Sequence, residues 1–400
     1  MTDSSPDRKR AFVPYSRPCL DADDLRAVAD VLTSTTISQG EQLKAFEDAF
    51  AKHAGAAFAT AFSSGTAAVH AMCHAAGLGP GDEVILPALT FAGTANAVRY
   101  VGATPVFADI DPSTNCISPD MIEPLVTDAT RAVLSVDFAG QPANYDRLRN
   151  IAAQRGLLLL SDAAHAAGAR WRDRTVGSLA DMTAFSFNPV KNITAAEGGM
   201  VTTNDPTFAS HLRLFGSHGM TRDPKLLESS PPAGWYYEQQ FLGYNYKLSE
   251  LHAALGLSQL RKLDAYNEHR ARLARYYTEE LSDLPLILPR PDADSLHAWH
   301  LYVIRLTGAD VSRRDELFEH LRSEGFGVQL HYIPVPMHPD YRRMGYTTAS
   351  LPETVEYFES AISLPLNPSI DEDTCAAVAA SVRSFLGIEP RNGNPSTDAK

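Results

Sequence analysis

Two residues of this 400-residue chain have the types and surroundings to act together on a carbonyl group. Lys191 follows the apolar run Met182 to Phe187 and precedes a Glu-Gly-Gly turn and a second short apolar run. Apolar surroundings lower the pKa of an amine by desolvation, and an amine must be neutral to attack a carbonyl. Asp162 directly follows the run Leu157-Leu-Leu-Leu-Ser161, which is typical of a buried strand. We therefore expect an amine and a carboxylate in one buried site.

Pyridoxal 5'-phosphate (PLP) is the cofactor that such a pair predicts. A lysine holds PLP as a Schiff base, and an acidic group partners the nitrogen of its ring. Taken alone, Lys191 could be a surface charge and Asp162 could be a cap at the end of a strand. The prediction depends on their occurring together.

A third segment could bind the phosphate group of such a cofactor. Ser63-Ser-Gly65-Thr66 follows the strand-like run Phe58 to Phe62 and opens a helix. Free backbone N–H groups and hydroxyls at the start of a helix attract anions. Serine or threonine at this position can equally be a simple helix cap. Neither G-x-G-x-x-G nor G-x-x-x-x-G-K-[ST] is present in the segment, so the nucleotide-binding fingerprints are not met.

Two groups of histidines have weaker claims to function. His70 and His74 would lie on one face of a helix, which suits metal ligation, but no third ligand is visible and plain packing is favoured. His331 and His338 lie near Tyr332 on a segment rich in proline. These side chains could hydrogen-bond a polar ligand or have a structural role.

Composition excludes several classes of protein. The formal net charge is −13, and the longest basic block is the short Asp7-Arg-Lys-Arg10, so nucleic acid is not an expected partner. No apolar stretch reaches the ~18 residues of a membrane-spanning helix. The four cysteines are scattered, which disfavours a disulfide framework and indicates a cytoplasmic protein.

The apolar pattern predicts an α/β fold. Helical spacing between residues 21 and 55 is followed by short apolar runs that alternate with helical segments as far as Asp205. Such runs are typical of a mainly parallel sheet covered by helices, in which ligands bind at the carboxyl ends of the strands. Asp109, Asp137 and Asp162 all follow or end such runs.

The C-terminal part reads differently and suggests a second, smaller domain. Residues 246–285 have the spacing of one long amphipathic helix, and a strand (300–305), a helix (315–323) and a second strand (328–332) follow. We expect a tail at 1–10, a large PLP-binding domain with an N-terminal helical segment at 11–285, a small α+β domain at 286–390, and a tail at 391–400.

The order of the motifs closely resembles the DegT/DnrJ/EryC1/StrS family, and the likeness covers nearly the whole chain apart from the tails. The motifs include Ser64-Gly-Thr-Ala-Ala68, Gly81-Asp-Glu-Val-Ile-Leu-Pro87, Gly102-Ala-Thr-Pro-Val-Phe-Ala-Asp109, Ser161-Asp-Ala-Ala-His165, Phe185-Ser-Phe-Asn-Pro-Val-Lys-Asn-Ile-Thr-Ala-Ala-Glu-Gly-Gly199, Gly243-Tyr-Asn-Tyr-Lys-Leu-Ser249 and Ser363-Leu-Pro-Leu-Asn-Pro368. The resemblance implies a fold-type I PLP-dependent aminotransferase that acts on a nucleotide-linked keto sugar.

By the same resemblance, Lys191 would be the Schiff-base lysine and the base that moves a proton at the reacting carbon. Asp162 would pair with the ring nitrogen, Phe91 would stack on the ring, and His165 would lie near its phenolic oxygen. The groups implied for the phosphate are Gly65, Thr66 and Ser186, with Asn245 reaching the phosphate of a neighbouring subunit in a homodimer with shared active sites.

Some positions bear on the substrate. Asn188 stands where relatives often have histidine, and Ala195-Ala196 precede Glu-Gly-Gly where Thr-Gly is common. With His331 and Tyr332, Asn188 is a candidate substrate residue. Relatives with histidine in place of the lysine are dehydratases, so Lys191 favours transamination.

The resemblance implies transfer of an amino group from an amino acid, L-glutamate in related enzymes, to a nucleotide-linked 4-keto-6-deoxy sugar. Residues 328–346 look most like the branch that makes UDP-4-amino-4,6-dideoxy-N-acetylhexosamines. Three alternatives stay open: a family enzyme acting on a cyclitol or another keto sugar, a regulatory protein that binds PLP without turnover, and, against the net charge, a DNA-binding regulator.

Overall fold

A computed structural model describes residues 12–230, 233–308 and 311–389. The tails expected at 1–10 and 391–400 lie outside these residues. The helices are α1 (Ala22–Thr33), α2 (Glu41–Ala54), α3 (Gly65–Ala75), α4 (Ala92–Tyr100), α5 (Tyr145–Arg155), α6 (Pro206–Phe215), α7 (Glu250–Leu260), α8 (Leu263–Leu281), α9 (Val311–Ser323), α10 (Pro339–Arg343), α11 (Pro352–Ser360) and α12 (Glu372–Phe385). The strands are β1 (Phe58–Phe62), β2 (Glu83–Pro87), β3 (Thr104–Ala108), β4 (Thr130–Val136), β5 (Leu158–Asp162), β6 (Arg170–Trp171), β7 (Arg174–Thr175), β8 (Met182–Ser186), β9 (Gly199–Thr203), β10 (Met220–Thr221), β11 (Glu238–Gln239), β12 (Leu286–Ile287), β13 (Ser295–Leu296), β14 (Tyr302–Leu306) and β15 (Ala361–Leu364).

A seven-stranded sheet with the order β1-β9-β8-β5-β4-β2-β3 forms the centre of the molecule. Strand β9 runs antiparallel to both of its neighbours, and the other neighbouring strands are parallel. The predicted α/β fold with a mainly parallel sheet is therefore confirmed. Parallel strands end at the same edge, so the loops after β2, β5 and β8 meet there.

Helices cover both faces of the sheet because successive side chains of a strand point to opposite faces. Ile85 of β2 and Leu159 of β5 lie in a buried core with residues of α2, α5 and α7. Their neighbours Val84 and Leu160 lie in a second core with α3, α4 and α6. Burial on both faces explains why these strands read as continuous apolar runs.

The prediction of one long helix at 246–285 is wrong. The chain forms α7 and α8, with a break at Arg261 and Lys262. The two helices have different partners, since α7 packs on α1 and α2 whereas α8 packs on α12. The amine of Lys262 lies 2.6 Å from a carboxylate oxygen of Asp21 and 2.9 Å from one of Asp24. Both segments are amphipathic, so hydrophobic periodicity alone did not reveal the break.

The strand expected at 328–332 is also absent. Only Gln329 pairs, through a single bridge to Ser363 of β15. The chain leaves the sheet after this residue, and His331 and Tyr332 turn toward the cavity described below. Alternating apolar residues predicted a strand here, but two of these side chains serve the cavity rather than a sheet face.

The C-terminal core surrounds the small sheet β12-β14-β15. It contains Leu273, Tyr277 and Leu281 of α8 together with residues of α9 and α12. Two residues of the C-terminal part, Val335 and Tyr341, pack instead in the core of the large sheet. The C-terminal core thus contains residues from both sides of the predicted boundary at residue 285, since α8 precedes it and α9 and α12 follow it. Among the described residues, no helix is long and apolar enough to cross a membrane.

Asp109, at the carboxyl end of β3, connects these two parts of the molecule. Helix α11 has Pro352 in its first turn and no side-chain cap of its own. The Asp109 carboxylate accepts hydrogen bonds from the backbone N–H of Glu353 (2.9 Å) and from the N–H and hydroxyl of Thr354 (2.8 and 2.6 Å). A residue distant in sequence therefore caps this helix.

Replacing Asp109 with asparagine should destabilise the protein. One carboxylate oxygen becomes an NH2 group that faces backbone donors, and an unsatisfied buried donor costs about 1–3 kcal/mol. The thermal unfolding midpoint of Asp109→Asn should fall measurably below that of the wild type. Asp128→Asn, at an exposed position of a loop, is the control. Equal midpoints for the two variants would contradict the capping role.

Candidate active site

A cavity of about 350 Å3 lies at the carboxyl edge of the large sheet. Every residue expected in the site, except Asn245, lies in its wall. These residues are Gly65, Thr66, Phe91, Asp162, His165, Ser186, Asn188, Lys191, His331 and Tyr332. Segments far apart in the sequence thus meet at the edge where ligands of parallel sheets bind.

Lys191 and Asp162 are held by the ends of adjacent strands. Asp162 is the last residue of β5 and pairs with Ala184 of β8. After β8 the chain makes a compact loop, in which the backbone N–H of Lys191 donates to the carbonyl of Asn188 (3.0 Å). The ring of Phe187, just before this loop, lies 5.1 and 5.2 Å from two phenylalanine rings of α2. The aromatic packing fixes the point from which the lysine loop starts.

Burial dominates the electrostatics of both groups. Desolvation lowers the pKa of Lys191 to about 8, although the charge of Asp162 opposes this shift. Desolvation also raises the pKa of Asp162, against hydrogen bonds from the Thr94 hydroxyl (2.7 Å) and the Ala164 N–H (3.0 Å) and the charge of Lys191. The neutral fraction of Lys191 near pH 7 is therefore much larger than that of a lysine in water, and the neutral amine is the form that nucleophilic attack requires.

The surroundings of Asp162 fit the protonated ring nitrogen of PLP. Among the ion pairs of the described residues, none includes Asp162, and its oxygens contact only neutral donors. A buried carboxylate without a cation is costly. The N–H of a pyridinium ring would supply the missing positive charge, so PLP suits the residues present.

The opposite wall suits a phosphate group. Helix α3 starts at Gly65; the Ser64 hydroxyl caps the N–H of Ala67, which leaves the N–H groups of Gly65 and Thr66 without a partner within the helix. The side chains of Thr66 and Ser186 lie in the same wall. A side chain at position 65 would place its Cβ 2.7 Å from the Cβ of Ser186, so only glycine allows the helix to approach β8 this closely. The helix N-terminus and two hydroxyls form an anion site.

Aromatic rings form the remaining walls. Phe91 precedes α4, its side chain is 60% exposed, and its ring lies 5.9 Å from that of Tyr332. The N–H of Ala139 donates to Nδ1 of His165 (3.3 Å), so the hydrogen of this neutral ring is on Nε2. Nε2 therefore donates to the Tyr332 hydroxyl (3.0 Å). The hydroxyl hydrogen of Tyr332 is left for a ligand in the cavity.

His300 and Asn192 were not foreseen as site residues. The His300 ring lies 4.3 Å from that of His165. Burial is the main cause that lowers the pKa of His300 well below its usual value, and positive charge on His165 and Lys191 lowers it further. The Asn192 amide donates to the side chain of Asn267 (2.7 Å) and to the Ala298 carbonyl (2.8 Å), and its oxygen accepts from Nδ1 of His300 (3.1 Å). The residue after Lys191 is thereby tied to distant segments. A signal was present, since Asn192 directly follows the lysine.

Thr94, Tyr15 and Glu197 were also missed. Thr94 binds Asp162, whereas Tyr15 and Glu197 line the cavity. The Asn188 amide donates to the Glu197 carboxylate at 3.3 Å. The unusual asparagine and the acidic residue of the Glu-Gly-Gly turn are thus neighbours.

Asn245 lies outside the cavity. Its side chain is exposed, and its oxygen accepts a hydrogen bond from the amine of Lys247 (2.8 Å).

The metal alternative for His70 and His74 is not favoured by the contacts. Nδ1 of His74 lies 2.9 Å from Nε2 of His211, and among the described residues no group of three His, Cys, Asp or Glu side chains could hold a metal ion.

The sheet, the buried lysine and carboxylate, and the anion site define a fold-type I PLP-dependent aminotransferase. The model of the DegT/DnrJ/EryC1/StrS aminotransferase family matches residues 18–383. The chain belongs to this family, whose enzymes use PLP, and it is a sugar aminotransferase.

Individual relatives cover nearly the whole chain. The spore coat polysaccharide biosynthesis protein SpsC of Bacillus subtilis is 40% identical over 383 residues, which are 95% of this chain and 98% of SpsC. The aminotransferase PseC of Helicobacter pylori, involved in the biosynthesis of pseudoaminic acid, has a TM-score of 0.88 and 31% identity, with 94% of this chain and 99% of PseC covered. DesI, solved in the presence of its TDP-sugar product, has a TM-score of 0.83 and 33% identity, with 94% of each chain covered.

The lowered pKa of Lys191 gives a prediction that needs no substrate. In cofactor-free enzyme, labelling of Lys191 by an amine-reactive reagent should rise with pH with a midpoint at about 8, because only the neutral amine reacts. Asp162→Asn should shift this midpoint to lower pH, since the carboxylate favours the ammonium form. Peptide mass spectrometry would measure both profiles. A midpoint near the ~10.4 of a lysine in water would contradict the burial argument.

Proposed function

We propose that this enzyme transfers an amino group from L-glutamate to the keto group of a nucleotide-linked 4-keto-6-deoxy sugar. The observation that carries the proposal is the buried Lys191 amine, in one cavity with Asp162 and a separate anion site. The names of the relatives support the sugar as substrate, since PseC is involved in the biosynthesis of pseudoaminic acid and DesI was solved in the presence of its TDP-sugar product. The resemblance of residues 328–346 to the branch that makes UDP-4-amino-4,6-dideoxy-N-acetylhexosamines supports an acceptor of the UDP-linked N-acetylhexosamine type.

Four side chains of the cavity have defined roles in this reaction. When bound, PLP supplies an electron sink that stabilises negative charge on the carbon next to nitrogen. Asp162 would hold the proton on the ring nitrogen, and Thr66, Ser186 and the start of α3 would hold the phosphate. Nζ of Lys191 takes a proton from the α-carbon of the donor and later delivers one to the sugar carbon that receives nitrogen.

The candidate substrate residues lie where they could contact the sugar. Asn188 and His331 line the cavity, and Nδ1 of His331 is held by the Ser363 hydroxyl at 2.8 Å. Burial lowers the pKa of His331 to about 4, with the charge of Lys191 adding to the effect. His331 is therefore neutral at physiological pH and leaves Nε2 for a hydrogen bond to a sugar hydroxyl.

We also propose that the enzyme is a homodimer whose sites are shared. Asn245 is exposed and near Trp235, Tyr237, Leu242 and Tyr244 in the sequence, which are large exposed side chains with 66%, 52%, 75% and 39% of their surface accessible. Exposed apolar surface of this kind marks an interaction site. A second copy covering it would bring Asn245 to the phosphate of the partner's cofactor.

A cytoplasmic location stays a prediction from the cysteines, all four of which are free thiols.

Product analysis tests the substrate. Purified enzyme incubated with glutamate and UDP- or dTDP-linked 4-keto-6-deoxy sugars should yield an amino sugar, detected by mass spectrometry and NMR. Lys191→Ala should lose at least about 1,000-fold in kcat, because it lacks the group that moves the proton. An amino product from a cyclitol ketone alone would reject the nucleotide sugar while keeping the transaminase.

Mixing of inactive variants tests the shared site. Lys191→Ala and Asn245→Asp, each weak alone, should regain activity after subunit exchange, up to about a quarter of the wild-type sites. In the mixed dimer one site then contains both intact residues. Lys191→Ala mixed with Asp162→Ala is the control, since these two residues belong to the cavity of one chain and cannot complement. Equal behaviour of the two mixtures would place Asn245 outside the partner's site.

A further inference from the structure

A second cavity, of about 650 Å3, lies away from the PLP site, between the loop after β3 and the C-terminal sheet. Its walls include Pro112 to Asn115 of the loop, residues 286–292, and Val303 and Arg305 of β14. Val303 and Arg305 face this cavity because side chains alternate along a strand, and Tyr302, Ile304 and Leu306 face the C-terminal core. Cavities of this size bind small molecules.

Arg305 is the unusual residue in this wall. Its side chain is 6% exposed. Among the described residues, its Nη1 atom is buried without a hydrogen-bond partner, and Nη2 makes one long bond, of 3.3 Å, to the carbonyl of Pro112. No ion pair found in the described part of the chain includes Arg305. A buried guanidinium with so little compensation is unfavourable unless an anion binds it.

The other buried arginines show what compensation normally looks like here. Arg270 donates to three backbone carbonyls through Nη1, while its Nε, like that of Arg383, is buried without a partner among the described residues. Arg314 and Arg383 each pair with an aspartate and also donate to a carbonyl. Arg305 lacks both the carboxylate and the set of carbonyls.

Neighbouring groups extend the polar part of the cavity. Asn115 has a left-handed backbone (φ +59°), and its buried Oδ1 has no partner among the described residues. Arg290 is exposed at the rim, whereas Asp292 in the same wall accepts a hydrogen bond from a backbone N–H through one of its oxygens. Two arginines and one aspartate give the wall of this cavity a net positive charge. The side-chain amide of Asn115 beside them can both donate and accept a hydrogen bond.

We propose that this cavity binds a small oxyanion ligand, whose carboxylate or phosphate group pairs with Arg305. Planar bidentate recognition of either group is the chemistry that a guanidinium provides best. Leu286, Leu288 and Val303 supply an apolar wall for the rest of the ligand. The site is distinct from the anion site at the start of α3.

The cavity also has a structural connection to the PLP site. Tyr357 lies in its wall, and the Tyr357 hydroxyl donates to the carbonyl of His331 (2.9 Å), the residue before Tyr332. Burial raises the pKa of Tyr357, and the positive charge of Arg305 opposes this shift. Arg305 and Tyr357 thus lie in the wall of the same cavity, and Tyr357 holds the backbone of His331 in the PLP site.

Calorimetric titration of the PLP-loaded enzyme tests the proposal, because PLP already fills the other phosphate site. Inorganic phosphate and butyrate, at ionic strength matched with chloride, distinguish the two kinds of oxyanion. At least one should bind with a stoichiometry of one per chain. Arg305→Met should weaken that binding at least tenfold while unfolding at the same or a higher temperature without ligand, since a buried unpaired charge is removed.

Two further variants keep the test decisive if Arg305→Met does not fold. Asn115→Gly removes the amide at a position whose backbone favours glycine, and should weaken binding about threefold or more. Arg290→Gln removes only the rim charge and should change affinity less than threefold. The proposal fails if neither anion binds, which would mean that water alone satisfies Arg305. It also fails if Arg305→Met, or Asn115→Gly in its place, binds as tightly as the wild type.

Discussion

Desolvation of two charged groups is the constraint on which the active site depends. Lys191 and Asp162 lie in the same cavity without forming an ion pair, and burial moves the pKa of each toward the neutral form. A direct salt bridge would favour the ammonium and weaken the nucleophile. Asp162 ends β5, the loop with Lys191 follows the adjacent strand β8, and the Thr94 hydroxyl donates a hydrogen bond to the Asp162 carboxylate.

The rest of the fold supplies the surroundings that maintain this separation. Aromatic rings of α2 hold the end of β8, and glycine at position 65 lets α3 approach Ser186. On the other side, a series of hydrogen bonds from His165 to Tyr332 orients a hydroxyl toward the cavity. Burial lowers the pKa of His165 well below its usual value, so these hydrogen bonds form without a charge on the ring.

Local sequence signals predicted the sheet and the residues within recognisable motifs, because continuous apolar runs and helix-start turns are properties of neighbouring residues. The misses came from contacts between distant segments. The break between α7 and α8 reflects two different packing partners. The segment at 328–332 has the alternating apolar residues of a strand, but it leaves the sheet after Gln329 and turns toward the cavity. Arg305 reads as one more residue of a strand, and only the structure shows how little surrounds its guanidinium.

The hydrogen bonds of Asn192 have a consequence for motion during turnover. Its amide joins the backbone beside Lys191 to α8 through Asn267 and to the segment before β14 through Ala298. The anchor of the lysine cannot shift unless these elements shift with it. The amine must then travel between its partners by rotation about its own side-chain bonds. Backbone movement during turnover is therefore expected in the exposed walls, such as the Phe91 turn, rather than in the lysine loop.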